Sequence, residues 1–324
     1  MEKILITGIT GQDGIFLSKK LLEDNESLHI YGTTRNKHNS FFERLNFLQP
    51  KTVNKLSILE VDLQDFNVLN QLIEQIKPTK LINLSGPSSV YQSLGDPNKT
   101  IDSINAIFDN LINSFFKANI NGVFFQALSS EMFEVNNFGK IDEKVNLKPR
   151  SPYAIGKAQI FEKSLEIRDK NGVNICNGIL FNHESEFRDD EYLFMKVINS
   201  AINISKNKQS ELTVGSLELV RDWSYAKDTV EAIYKIIENS YSKDYVVGSG
   251  EGHSIKELIL TVFDEFNLDF ETHVKTDNNL LRIGDPQTIV SNPSKIYNEL
   301  GWKTTTTFKE LIFKCINFKQ NISS

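Results

Sequence analysis

The sequence predicts an α/β protein, a doubly wound parallel sheet with a smaller C-terminal lobe packed beside it. Two observations carry this. Short apolar runs rich in Ile, Leu, Phe and Val alternate with longer segments of helical period through the first half of the chain. Strands that are apolar nearly throughout belong to sheets buried on both faces. In addition, a glycine triplet directly follows the first apolar run, where such a sheet turns into its first helix.

The elements follow in the order such a sheet requires. Lys3–Gly8 (KILITG) reads as a buried strand, and GIFLSKKLLEDN as the amphipathic helix after it. LHIYGTT and LSILEVDL are the next two strands, and FNVLNQLIEQI has helical period. Lys80–Ser85 (KLINLS) is a strand, IDSINAIFDNLINSFFKA a long helix and GVFFQALSS another strand. YAIGKAQIFEKSLEIRDK then reads as a helix and VNICNGILF as a strand. After Phe181 the pattern loosens. Helices at Leu193–Lys206, Thr229–Asn239 and Ser254–Phe266 mix with short strands in ELTVG and DYVVGSG. This divides the chain into a first domain, 1–180, and a lobe formed mainly by 181–324, from which some segments return to the first domain.

Composition narrows the function. The 324 residues, 40% hydrophobic and 24% charged, suffice for a sizeable core. A net charge of −6 with no long basic run argues against nucleic acid or an anionic membrane surface as partner. No apolar stretch approaches the roughly 20 residues that span a bilayer. MEKILITG enters a strand almost at once, so no signal peptide is expected. Cys176 and Cys315 both sit in apolar surroundings and read as buried thiols, which fits a reducing cytoplasm better than a disulfide does. The five histidines lack metal-ligand spacing, so no metal site is expected.

Gly8, Gly11 and Gly14 form GITGQDG between the first strand and the first helix. Glycines there allow a tight turn, close approach of a pyrophosphate to the backbone and close packing of helix on sheet, with the helix N-terminus facing the phosphates. The triplet therefore reads as a dinucleotide site of the Rossmann type, with Gln12 and Asp13 in its turn. The second strand ends in YGTTRN, with no acidic residue to hold a ribose 2′-hydroxyl. Arg35 is placed to meet a 2′-phosphate, which favours NADP over NAD, although a solvated surface arginine is the plainer alternative. Asp62 and Leu63 close the third strand. Asp62 suits the adenine amino group and, equally, a helix cap.

Tyr153 and Lys157, at i and i+4, share one face of a helix. A lysine so placed is expected to lower the phenol's pKa and make the tyrosinate an accessible base. ALSSEMF closes the preceding strand and brings Ser129 and Glu131 to a carboxyl end, the edge where open α/β sheets bind ligands. Hydroxyl, carboxylate, phenol and ammonium thus converge on one crevice.

With these motifs in place the chain resembles the extended short-chain dehydrogenase/reductase superfamily and, within it, the GDP-mannose 4,6-dehydratase family. GITGQDG, SSE, YAIGK, GILFNHES, RDWSYAKD and NPSKIYNELGW carry the likeness in the family's order over almost the whole chain. The resemblance implies an NADP-binding first domain and a nucleotide-sugar-binding lobe. It makes Tyr153 the base at the sugar 4-hydroxyl and Lys157 the residue that holds the nicotinamide ribose. Ser129 bonds the 4-oxygen, and Glu131 removes the C5 proton and protonates the departing 6-hydroxyl. Ser88, Asn182, Lys196 and Arg221 fall at substrate positions, with Arg282 and Asp285 as a further pair there. His183 falls inside the substrate motif and is expected to be structural. A homodimer or homotetramer is implied as well.

The departures cluster around the sugar. Where the family reads Ala-Ala-Gln-Ser-His-Val, this chain has SGPSSV, with Pro87 for Gln and Ser89 for His. NHES is followed by Glu186, Phe187 and Arg188 rather than Pro-Arg-Arg, and Asn36 stands where a second basic residue follows Arg35. Small residues such as Gly86 and Ser89 suit a bulkier sugar substituent. The expected substrate is therefore GDP-N-acetylglucosamine, as in the branch that supplies legionaminic acid, with GDP-mannose or a heptose as alternatives. A nucleotide-sugar epimerase or reductase needs the Ser, Tyr and Lys but not Glu131. A nucleotide sensor on the same fold need not keep all four.

Overall fold

The structure is a computed structural model that describes residues 2–25, 27–35, 44, 54–118, 120–135, 139–239, 242–281 and 284–322. Its main sheet has seven parallel strands: β1 (Glu2–Thr7), β2 (Leu28–Thr34), β3 (Leu56–Glu60), β4 (Lys80–Asn83), β5 (Val123–Ser129), β6 (Ile175–Leu180) and β7 (Asp244–Val247). Their spatial order is β7-β6-β5-β4-β1-β2-β3. The order reverses between β1 and β4, and this switch point is where open α/β sheets leave a crevice at their carboxyl ends.

The strands are apolar on both sides because both sides are covered. Successive side chains of β1 point to opposite faces. Leu5 meets Leu69, Ile73 and Phe108, from α2 (Phe66–Ile76) and α3 (Pro97–Lys117). Ile4 and Ile6 join the other core, with Ile15 and Leu17 of α1 (Gln12–Asp24). The helix α4 (Pro152–Asn171) lies beside α3 on the first face.

Sequence chemistry sets the helix ends. Asp65 accepts hydrogen bonds from the Asn67 and Val68 amides and caps α2. Asp96 with Pro97 opens α3, and Ser151 with Pro152 opens α4, each side chain taking a first-turn amide. Gly172, at φ 64°, ends α4 in the left-handed conformation. Two expected strands are shorter than their apolar runs. Chain β3 stops at Glu60, before the turn at Asp62, and β4 stops at Asn83, whose Oδ1 accepts from Thr7 and Ser85 hydroxyls, each at 2.7 Å.

The second part of the chain contributes α5 (Leu193–Ser205), α6 (Ala226–Asn239), α7 (Ile255–Asp264) and α8 (Phe308–Ile322), with several short strands. The DYVVGSG run does not stay among those short strands. It adds β7 to the edge of the main sheet, in register with β6 from Asp244↔Asn177 to Val247↔Leu180. Helix α6 likewise packs on α1. Among the described residues no helix is long and apolar enough to cross a membrane.

Candidate active site

The glycine triplet does three different things. Gly8 has φ +70°, and a Cβ there would lie 2.9 Å from the Leu84 carbonyl oxygen. Gly14 is held closer still, since a Cβ would come within 2.5 Å of the Ile9 backbone. Gly11 is different: its only near neighbour is the Gly8 carbonyl at 3.4 Å, an ordinary contact. Gly11 is also the N-cap of α1 and supplies no side-chain hydrogen bond, whereas α2, α3 and α4 are each capped by a side chain. The first amides of α1 thus remain available beside a cavity of about 580 Å³ lined by Gly8, Gly11, Gln12, Asp13 and Gly14. Uncapped amides at the positive end of a helix dipole suit a pyrophosphate.

Arg35, Asp62 and Leu63 line the same cavity. Asp62 also accepts a hydrogen bond from the Gln64 amide at 2.9 Å, so it shapes its own turn while facing the cavity, and Asp65 is the residue that caps α2. Asn36 lies outside the described residues. The sequence reading missed Arg44, which lines the same cavity as Arg35 and is held by the Thr10 carbonyl and Asp189, both at 3.0 Å. No periodicity or motif around Arg44 signals this placement.

Gln12 and Asp13 face the cavity, but their side chains reach elsewhere. The Gln12 amide donates to the His183 carbonyl at 2.9 Å and accepts from the Ser185 hydroxyl at 2.7 Å. Asp13 Oδ2 lies 3.0 Å from His183 Nε2, while Nδ1 of that ring donates to the Phe181 carbonyl at 2.7 Å. Both ring nitrogens face acceptors, an arrangement that favours the protonated ring. Burial alone would lower the pKa of His183, but the Asp13 charge and hydrogen bond raise it. This clamp ties the turn after β1 to the short strand Asn182–Glu184. The second oxygen of Asp13 is buried with no hydrogen-bond partner among the described residues.

A second cavity, of about 500 Å³, holds the catalytic candidates: Ser129, Glu131, Tyr153 and Lys157 all line it. Ser129 ends β5 and accepts the Glu131 amide at 3.3 Å, which turns the chain and presents the carboxylate beside the helix carrying Tyr153. Tyr153 is buried, and burial pushes its phenol up to about 12 despite a hydrogen bond from Ser129 that lowers it. Lys157 is buried too, which pulls its ammonium down to about 8, and it donates to the Ala127 carbonyl at 2.9 Å. The expectation that Lys157 lowers the phenol is therefore not met in this arrangement. Its Nζ sits 5.8 Å from the Tyr153 ring centroid, tethered to β5, and desolvation dominates the phenol.

The rest of this cavity collects the expected substrate residues Ser88, Asn182, Lys196, Arg221 and Asp285. Lys196 reaches the Thr213 carbonyl at 2.8 Å and stays exposed. Asp285 has a partner among the described residues. It accepts from Arg221 at 2.7 Å, and Arg221 also donates to the Val220 and Pro286 carbonyls, at 2.8 and 3.0 Å. Arg282 lies outside the described residues. The neighbour of Arg221 explains its fixity. Asp222 is fully buried, and its carboxylate accepts from the amides of Ser249, Gly250 and Ser291 at 2.8, 3.0 and 3.0 Å.

The two cavities share a wall that includes Asp13, Gly86, Ser88, Arg188 and Tyr192. Volumes of this size suit small-molecule ligands, and a shared wall lets an occupant of one meet an occupant of the other. Among the described residues no cluster of His, Cys, Asp and Glu could hold a metal ion.

The family described as GDP-mannose 4,6 dehydratase matches residues 5–315. GDP-mannose 4,6 dehydratase 1 of Arabidopsis thaliana is 34% identical over 316 residues, covering 95% of this chain and 87% of that protein. The dTDP-glucose 4,6-dehydratase of Bacillus anthracis, solved in complex with NAD, aligns with a TM-score of 0.86 at 17% identity, over 99% of this chain and 97% of its own. RMD of Pseudomonas aeruginosa, solved with NADPH, aligns at 0.81 and 19% identity over 99% of this chain and 100% of its own. The last two similarities speak for the fold.

Proposed function

The chain belongs to the GDP-mannose 4,6-dehydratase family and is a nucleotide-sugar 4,6-dehydratase, and within that class we propose that it converts a GDP-linked hexose, with GDP-N-acetylglucosamine the favoured sugar, to the 4-keto-6-deoxy product. The cofactor in this reading is NADP, held at the uncapped start of α1 with Arg35 and Arg44 toward its 2′-phosphate. When bound, the nicotinamide supplies a hydride acceptor for C4 and a hydride donor for C6. GDP-mannose is the alternative sugar, on the strength of the relative's name.

The observation that carries the reading is Glu131 beside Ser129, Tyr153 and Lys157 on one cavity wall. Ser129 holds the 4-oxygen and Tyr153 takes the 4-hydroxyl proton. Lys157 stays charged at neutral pH, orients the ribose and favours the tyrosinate once a ligand lies between them. Oxidation at C4 makes the C5 proton acidic. Glu131 removes it and passes a proton to the 6-hydroxyl, which leaves as water, and Glu131 then takes a fresh proton from solvent and delivers it to C5. Asn182, Lys196, Arg221 and Asp285 hold the nucleotide half, in which arginine suits bidentate phosphate recognition. Room for an acetamido group is supported at Gly86, where a Cβ would meet nothing within 4 Å. In this reading residues 1–180 carry the dinucleotide and 181–324 mainly the sugar nucleotide. The assembly is a homodimer or homotetramer, and the two buried free thiols suit the cytoplasm.

The test incubates the protein with NADP and a panel of GDP- and UDP-sugars in D2O. The expected product is a 4-keto-6-deoxy sugar with deuterium at C5, and Glu131→Gln slows its formation by about 10²–10⁴-fold. Sugars returned unchanged, or epimerised at C4 with C6 intact, overturn the dehydratase reading.

A further inference from the structure

The stretch after β4 and the stretch leading into α5 face each other where the two cavities meet, and two hydrogen-bonded pairs join them. Ser88 Oγ lies 2.8 Å from the Tyr192 hydroxyl. Four residues along, the Gln92 amide donates to both carboxylate oxygens of Glu191 at 3.0 Å. The Tyr192 ring lies against the Arg188 guanidinium, 3.4 Å from its centroid, and Arg188 is itself paired with Glu184 at 3.2 Å. Ser88 and Tyr192 line both cavities.

Two hydroxyls bonded to each other use one O–H and one lone pair, which leaves one O–H and further lone pairs for a ligand. A cation on the face of the Tyr192 ring draws electron density from it, which makes the phenol the better donor of the two. The wall segment at Ser88 is also where Gly86 leaves open space. A donor beside an open volume suits a substituent that accepts a hydrogen bond and needs room.

We propose that Tyr192, locked to Ser88, is a specificity-determining residue of the sugar subsite, its hydroxyl pair donating to the carbonyl oxygen of an acylamino group on the hexose. This rests on the reading of the protein as a GDP-sugar dehydratase. Neither sequence motif nor spacing marks Tyr192, because its partner lies 104 residues away in the chain.

Calorimetric titration of the NADP-loaded protein with GDP, GDP-glucose and GDP-N-acetylglucosamine tests the proposal. The quantity read is the preference for the acylated over the unacylated sugar. Tyr192→Phe keeps the ring against Arg188 and removes the hydroxyl, and it is expected to reduce that preference roughly five- to tenfold, the effect of one hydrogen bond. Ser88→Ala is expected to do the same, Ser88→Thr to retain the preference, and the double variant Ser88→Ala with Tyr192→Phe to lose no more than either single one. A preference that is absent or unmoved by these variants overturns the proposal, as does an equal loss for both sugars and for GDP alone. If the wild type binds neither GDP nor any GDP-sugar, the functional reading falls and the proposal with it. If it binds them and the variants match it, only the proposal falls.

Discussion

At Lys157 the folded chain carries a buried ammonium, pulled from 10.5 down to about 8 by loss of water. That shift corresponds to roughly 3 kcal/mol against the charged form. Below pH 8 both folded and unfolded chains hold the proton and the full penalty applies. Between about 8 and 10.5 the unfolded chain binds the proton that the folded chain has released, so this group's contribution to stability rises with pH. Lys157→Met is therefore expected to raise the melting temperature at neutral pH and to lose that advantage near pH 10. The Ala127 carbonyl keeps a partner in the variant, since Gln126 also donates to it at 2.8 Å. Turnover is expected to fall by at least about 10²-fold. Thermal melts against pH check the first half, and a variant that melts lower at pH 7 would refute it. At this scale Ser129, Glu131, Tyr153 and Lys157 were legible because strand ends and helix faces follow from local spacing. Arg44 and Tyr192 were not, because each acquires its position from a distant partner.

The turn between β1 and α1 separates packing from binding within one motif. Gly14 has no room for a methyl group against the Ile9 backbone, while Gly11 has room. Gly14→Ala forces helix and strand apart and is expected to cost about 1–3 kcal/mol of stability. Gly11→Ala is expected to melt near the wild type and to weaken NADP binding by about tenfold or more, because its Cβ stands before the free amides of α1. Calorimetry with both variants decides the matter. A Gly11→Ala protein that binds NADP normally would remove the pyrophosphate from this turn. Element type and order were read well from periodicity. The ends of β3 and β4 were read too long, because the Asp62 turn and the Asn83 side-chain bonds interrupt runs that stay apolar beyond them.

Across the whole molecule, Asp222 joins segments of the second part of the chain that lie far apart in sequence. Its carboxylate gathers Ser249 and Gly250, which follow β7, and Ser291, which follows the strand pairing with Arg221. An ionised acceptor buried among amides and hydroxyls is worth more than a neutral one. Asp222→Asn places an NH2 group against donors and is expected to cost about 3 kcal/mol. Because Arg221 is the next residue, GDP-sugar affinity should fall more than NADP affinity. Parallel titrations of the two ligands would show this, and equal losses would reduce Asp222 to a purely structural role. The DYVVGSG run illustrates the same scale: its composition reads as a strand, but only packing against β6 assigns that strand to the main sheet.

The sequence by itself determined the doubly wound sheet, the glycine turn, and the order in which hydroxyl, carboxylate, phenol and ammonium reach one sheet edge. Each of these depends on periods and spacings within a few residues. The tertiary structure alone decided that Arg221 is a partner of Asp285, that His183 clamps the turn at Asp13, and that the Tyr192 hydroxyl pairs with Ser88. It also decided that burial outweighs the Ser129 hydrogen bond in setting the Tyr153 phenol. Pairing and desolvation across many tens of residues depend on how the elements pack, and no local pattern encodes that.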